Sequence, residues 1–321
     1  MTWRRLMTSL TIAMLALAGA APEGQAIDYE HLKTAVIVGE PNADNLAPVA
    51  AAGLDGVETN AWNVTPQQAA ASRAAAEALG LRIHSVLFGW ANFNNDDAAA
   101  VDGDVANVTT ALRAAQAYGA DALLLVPCRV GGLAMPEPWN FKATFDPVTG
   151  MVSAVADGDN AAYADYIAAQ NKAWETSSRA IRRLIPIAEE TGVIIALENV
   201  WNDLWLDPHL FAAFVKSFQS PWVGAYFDLG NMTRYTYAPA QDWVRALGDS
   251  LVKCHVKDFK LNPNGQGGDW ADPLDGSVNW PEVRRALAEV NYLDWLTIEG
   301  SGGLGLPETQ RRLALIGAGG E

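Results

Sequence analysis

Near-continuous apolar runs recur along the chain, separated by stretches in which apolar residues return at helical spacing. The runs are Thr34–Val38, Gly56–Thr59, Arg82–Phe88, Ala122–Pro127, Val193–Asn199, Val223–Asp228, Val252–Asp258 and Leu296–Glu299. Runs that do not alternate apolar with polar positions predict strands buried on both faces. Between them, Pro66–Leu79, Val105–Tyr118 and Ala161–Thr191 predict helices, stopped by Gly80, Gly119 and Gly192. Pro208–Phe218, Asp242–Leu247 and Pro281–Val290 continue the series. Eight strands alternating with helices predict a single (β/α)8 barrel. A doubly wound open sheet is the alternative, but no glycine-rich dinucleotide loop follows the first strand. No internal linker marks a second domain. Two long irregular stretches, Arg129–Gly158 and Lys260–Val278, follow the fourth and seventh strands. Long loops at strand ends build the active face of such a barrel.

The amino terminus departs from this pattern. Arg4 and Arg5 precede the apolar run Leu10–Leu17, and the small residues Ala18, Gly19, Ala20 and Ala21 follow. That order predicts an export signal over residues 1–26, with the barrel over 27–321. The apolar run is short for a permanent span, so no stable membrane insertion is expected after cleavage. The paired arginines partly match a twin-arginine signal, and the expected location is the periplasm.

Composition narrows the function. The chain has 321 residues, half of them hydrophobic, which suffices for one large core. Its formal net charge of -15 opposes a phosphate backbone, so nucleic acid is excluded as a partner. Two cysteines, Cys128 and Cys254, cannot form a structural zinc cluster. Both fall in or beside predicted strands far apart in strand order, and two unpaired core thiols are expected.

The ends of the last four strands carry the chemistry. Glu198 ends the fifth, Asp228 the sixth and Glu299 the eighth, while His255 lies near the end of the seventh. One such carboxylate is commonly a helix cap or a surface residue. Four metal-competent groups on consecutive strands converge on one barrel mouth, where unpaired burial is costly. A divalent cation resolves that cost. Three carboxylates and one imidazole suit Mn, Mg, Co or Zn.

The segments Leu197-Glu198-Asn199-Val200-Trp201-Asn202, Tyr226-Phe227-Asp228-Leu229-Gly230-Asn231, His255-Val256-Lys257-Asp258-Phe259 and Ile298-Glu299-Gly300 resemble the xylose-isomerase-like barrel superfamily, in particular its sugar phosphate isomerase/epimerase branch. The resemblance runs from the first strand to the eighth. It implies that Glu198, Asp228, His255 and Glu299 bind one divalent ion. It also implies that Glu198 and Glu299 exchange protons with opposite faces of a substrate carbon, as in the ketose 3-epimerases of the branch. Those epimerases carry a histidine, an arginine and a further glutamate where this chain has Asn231, Leu261 and Leu204. Their substrate contacts are therefore not carried over. The branch is commonly oligomeric, which implies a homo-oligomer.

Further candidates for substrate contact surround these ligands. His84 lies inside the third strand, where the family often points a histidine into the pocket; a packed core histidine is the alternative. Glu58 ends the second strand and can orient either substrate or a ligand side chain. Lys257 shares the face of His255 by strand alternation, and Asp258 points the other way. Asn199 and Asn231 are candidate donors to sugar hydroxyls. Among twelve tryptophans, Trp62, Trp90, Trp201 and Trp205 follow strands, and Trp139 and Trp270 lie in the long loops. Flat indoles suit sugar rings, although several must pack helices on the barrel. The expected activity is a metal-dependent isomerase or epimerase on an unphosphorylated sugar, keto-sugar or sugar acid. The alternatives are a metal-dependent lyase or dehydratase on an oxidised sugar or cyclitol, and a non-catalytic sugar-binding barrel. A phosphodiesterase related to abasic-site endonucleases needs a histidine-rich three-zinc cluster, which four histidines in an acidic chain do not suit.

Overall fold

The eight apolar runs become eight parallel strands: β1 (Lys33–Val38), β2 (Gly56–Thr59), β3 (Arg82–Trp90), β4 (Ala122–Val126), β5 (Ile194–Glu198), β6 (Val223–Asp228), β7 (Leu251–Val256) and β8 (Trp295–Ile298). They close in the order β1-β8-β7-β6-β5-β4-β3-β2. This is the (β/α)8 barrel, seen in a computed structural model that describes residues 31–235, 237–300 and 303–319. The export signal expected over residues 1–26 lies outside the described residues. No helix among those described is long and apolar enough to cross a membrane.

The helices are α1 (Ala43–Ala51), α2 (Pro66–Ala78), α3 (Ala98–Tyr118), α4 (Ala164–Thr191), α5 (Pro208–Lys216), α6 (Ala240–Leu247), α7 (Trp280–Glu289) and α8 (Leu306–Gly317). Side chains cap the starts of several. Thr65 and Gln68 form a capping box on α2, and Asp207 accepts from the backbone N–H groups of His209 and Leu210 at α5. Two corrections follow. Helix α3 begins seven residues before the predicted Val105, because Asp97 caps it at Ala99 N. Helices α1 and α8 were not predicted; α1 forms despite Pro48, with Asn42 and Asn45 capping its start.

Alternation along each strand stacks side chains from the barrel floor to its mouth. On β8 the inward series is Trp295, Thr297, Glu299. On β7 it is Lys253, His255, Lys257. The Trp295 indole fills the floor: a Cβ on Gly56 would come within 2.7 Å of its ring. Small or slender residues, among them Ala122, Leu124, Val126 and Ala196, fill the interior beside Tyr226. The larger core lies between strands and helices, where Leu123, Leu125, Leu184, Leu197 and Phe227 are buried. Cys128 and Cys254 are both free and buried, as expected.

The long loops have structure of their own. The segment after β4 contains a small ribbon pairing Thr144–Phe145 with Val152–Ala154. After β7, Asp258–Leu261 pairs with Gly268–Ala271. Strand β7 therefore ends at Val256, and the predicted run to Asp258 crosses into this second ribbon. Asp258 shapes the loop. Its buried carboxylate accepts hydrogen bonds from the backbone N–H of Phe259, Leu274, Gly276 and Val278 and from the Trp280 indole.

Candidate metal centre and active site

Glu198, Asp228, His255 and Glu299 meet at the mouth, each offering one ligand atom, all within 4.8 Å of one another. Glu198 and Asp228 are the last residues of β5 and β6, His255 is next to last in β7, and Glu299 follows β8. Since β5 to β8 are neighbours in the barrel, one arc of the mouth supplies the whole set. It is the only such group among the described residues.

The imidazole is held from behind. Glu58 reaches across the interior from β2, and its Oε2 lies 2.6 Å from His255 Nε2. Both residues are fully buried. The Ser85 hydroxyl donates to the other Glu58 oxygen at 2.8 Å. With Nε2–H donating to Glu58, the Nδ1 lone pair faces the cluster, as a metal-binding histidine requires. Of the two roles expected for Glu58, this contact fits the orienting of a ligand side chain.

Asp228 is fixed through its backbone and one oxygen. The Asn199 amide donates to Asp228 O and accepts from Asp228 N, at 3.1 and 2.8 Å. Asp228 Oδ1 accepts from the N–H groups of Gly230 and Asn231, and the Asn231 amide donates to Asn199 O. Gly230 lets this turn pass the neighbouring loop, since a Cβ there would lie 2.6 Å from the Lys257 carbonyl. Asn199 and Asn231 are both buried; both polar atoms of the Asn199 amide and the NH2 of Asn231 bond backbone. These bonds tie both amides to the Asp228 turn, whereas sugar hydroxyls were the expected partners.

What remains free fits a cation. Asp228 Oδ2, His255 Nδ1 and Glu299 Oε2 are buried without a hydrogen-bond partner among the described residues. His255 Nδ1 lies 2.8 Å from Glu299 Oε2 and 3.5 Å from Glu198 Oε1, without hydrogen-bond geometry. Among the described residues, Glu58, Glu198, Asp228 and the partly buried Glu299 face His255 and Lys257 as counter-charges. Burial pushes the Glu198 carboxyl up to about 7 and raises Asp228, against the pull of Lys257. Burial acts the same way on Glu299, but His255 and Lys257 outweigh it and hold that carboxyl at about 2. Burial would lower His255, yet Tyr226, Glu58 and Glu299 raise it well above the usual histidine range. A dication at the orphaned atoms would take up this excess of negative charge.

Lys257 sits where alternation predicts, with Nζ 3.0 Å from Glu299 Oε2 and 3.5 Å from Asp228 Oδ2. Burial would lower its pKa, but Asp228 and Glu299 raise it, so it carries a charge. His84 differs from expectation. In the β2–β3 register, Ser85 pairs with Glu58 and His84 is skipped. His84 lies one layer below the ligands, stacked on Trp295 at 4.3 Å and hydrogen-bonded to the Thr297 hydroxyl. Burial lowers its pKa, so it is a neutral core histidine. Ser85 and Tyr226, which packs 4.4 Å from the His255 ring, were not identified from the sequence. A bulge and a cross-barrel contact leave no local signal.

The tryptophans divide. Trp201 stacks on Trp270 at 4.7 Å, its indole N–H bonds Asn231 O, and Lys257 Nζ lies 5.3 Å from the Trp270 ring. This pair forms a wall beside the cluster. Trp90 ends β3 and is 43% exposed, and Trp62 packs on Phe88. Trp205 stacks on Phe214 in the core, so it does not line the mouth. Trp139 lines a separate groove of about 660 Å³ in the loop after β4.

Structural comparison finds the same fold elsewhere. The IolI protein, solved with a bound zinc atom, superposes with a TM-score of 0.67 at 14% identity, covering 89% of this chain and 98% of that one. The 3-keto-D-glucoside 4-epimerase of E. coli gives 0.65 at 13%, covering 89% and 98%. D-Psicose 3-epimerase of Clostridium cellulolyticum H10, solved with D-tagatose, gives 0.63 at 17%, covering 89% and 96%. A search of curated protein sequences gives no match. These identities establish shared fold alone. Residues 46–315 match the profile described as xylose isomerase-like TIM barrel, and the chain belongs to that family.

Proposed function

We propose that this protein is a divalent-metal-dependent sugar isomerase or epimerase that moves a proton at a carbon beside a carbonyl. The observation that carries the proposal is the pair Glu198 and Glu299, brought from β5 and β8 into one constellation with Asp228 and His255. When bound, a dication would polarise the carbonyl and acidify the adjacent C–H. Glu198 and Glu299 then act as the acid and base of the transfer, one accepting the proton and the other returning it. Lys257 holds a substrate oxygen beside Glu299. The Trp201–Trp270 wall takes an apolar sugar face and keeps water from the transfer. The fold neighbours named for sugar epimerisation support this class. An unphosphorylated sugar, keto-sugar or sugar acid fits the export signal, which would place the protein in the periplasm.

The test is solvent-deuterium incorporation by the metal-loaded protein over a sugar panel. Incorporation at the carbon beside the carbonyl, abolished by chelation and restored by Mn, Mg, Co or Zn, is expected. No incorporation with any sugar would contradict the proposal. A product lighter by one water would replace it with a dehydratase.

A further inference from the structure

Two arginines follow strands at the barrel mouth. Arg129 follows β4 and places its guanidinium carbon 4.2 Å from the Trp90 ring. Arg234 follows β6 and lies 4.2 Å from the Trp201 ring. In this acidic chain, arginines such as Arg73, Arg82, Arg183, Arg245 and Arg312 each pair with a carboxylate. Arg129 and Arg234 have no carboxylate within 4.0 Å among the described residues. Stacking occupies the face of a guanidinium and leaves its in-plane N–H donors free.

The two platforms form one rigid arc with the metal ligands. Strands β3, β4, β5 and β6 are consecutive neighbours. Val130 N donates to Asn202 O, and the Asn202 amide donates to Cys128 O, tying the loops after β4 and β5. The Trp201 indole bonds Asn231 O, whose own N–H bonds Asp228 Oδ1. Between the arginines runs a strained turn: Asp203 has φ 58° and Trp205 φ 49°. The Tyr166 hydroxyl pins it by donating to Asp203 O at 2.6 Å. Asp203 is half-buried, and burial raises its carboxyl against the opposing pull of Arg234 and Arg129.

We propose that the substrate of this site carries a carboxylate, bound by Arg129 and Arg234 at the barrel mouth. A planar carboxylate matches the in-plane donors of a guanidinium and can be held by two parallel N–H···O bonds. The substrate is then an acidic sugar of the uronate or aldonate class. The arc places its anionic end on Trp90 and Trp201, and its carbonyl end at Glu198 and Glu299. This inference rests on the proposed isomerase chemistry only for that second placement.

The experiment uses the full metal-loaded protein and tryptophan fluorescence, since both arginines lie on indoles. D-Glucuronate, D-galacturonate and D-gluconate are titrated against their neutral parent sugars, with D-glucose 6-phosphate as the phosphate arm. At least one acid should bind about 10-fold or more tightly than its parent, the worth of a charged hydrogen-bonded contact. Arg129→Gln and Arg234→Gln should each cut that ratio about 10-fold at unchanged metal content, and Arg234→Lys should keep part of it. Equal binding of every acid and its parent, preference for the phosphate, or a ratio unmoved in both glutamine variants would overturn the proposal. Deuterium exchange on the same panel separates the two ideas. Arginine-dependent acid binding without exchange counts against the isomerase, whereas exchange confined to neutral sugars overturns the carboxylate site.

Discussion

Replacing Glu58 tests how the metal site is built, because Glu58 touches no ligand position except through His255. Its Oε2 lies 2.6 Å from His255 Nε2 and its Oε1 accepts from Ser85, all three residues being fully buried. In Glu58→Gln the amide oxygen can still accept from His255 Nε2–H, and the NH2 can donate to Ser85 Oγ. The tautomer survives and only the charge is lost. Loss of such a partner costs about 10- to 100-fold in metal affinity, or roughly 1.4–2.7 kcal/mol. We expect Glu58→Gln near the lower bound. Glu58→Leu strands both donors and frees the imidazole to turn, so it should reach or exceed the upper bound. Calorimetric titration with Mn and Zn on both variants measures this. Thermal unfolding gives a second readout, because metal at 1,000 times its Kd adds about 4 kcal/mol of stability, and the increment should shrink with affinity. Wild-type metal affinity in Glu58→Gln and in a folded Glu58→Leu would refute the argument that Glu58 sets the histidine.

Other outcomes follow from the same geometry. Glu198→Gln and Glu299→Gln should each lower proton exchange by about 10²–10⁴-fold, measured as deuterium incorporation at saturating metal. Trp270→Ala removes the stack on Trp201 from a residue that is 48% exposed, so sugar affinity should fall roughly 3- to 10-fold with little change in melting temperature. Metal affinity should be lower at pH 6 than at pH 8, because the cation must displace protons from Glu198, which burial pushes up to about 7, and from His255, which its anionic neighbours raise; calorimetry at the two pH values measures the difference. Lys253→Met, at the barrel floor, removes a buried ammonium that lies 2.8 Å from Asp121 and 2.6 Å from Asp294. Both carboxylates are partly exposed, so urea unfolding should show a loss of about 1–3 kcal/mol, with metal affinity unchanged.

The candidate metal ligands were legible because a barrel strand is buried on both faces, so a charged residue ending an apolar run has few bland explanations. Glu198, Asp228, His255 and Glu299 needed only the strand ends to be placed, and Lys257 followed from alternation. The differences have separate causes. Alternation fails at a bulge, and β3 skips His84 in its pairing with β2, which puts His84 beneath the site and Ser85 against Glu58. Asn199 and Asn231 were recognised as near the ligands, but a free amide looks the same in sequence whether it meets sugar or backbone. The link from Glu58 to His255 joins residues 197 apart and becomes visible only when the barrel closes. Helix α1 was obscured by Pro48, although the Asn42–Asn45 cap was there to be seen.

The central claim is that one divalent ion is held jointly by Glu198, Asp228, His255 and Glu299. Anomalous diffraction from crystals grown with Mn tests it most directly. The account predicts a single strong peak at about 2.0–2.3 Å from His255 Nδ1 and from an oxygen of each carboxylate, with His255 Nε2 still on Glu58. A peak elsewhere, or none at this cluster with metal in excess, would contradict it.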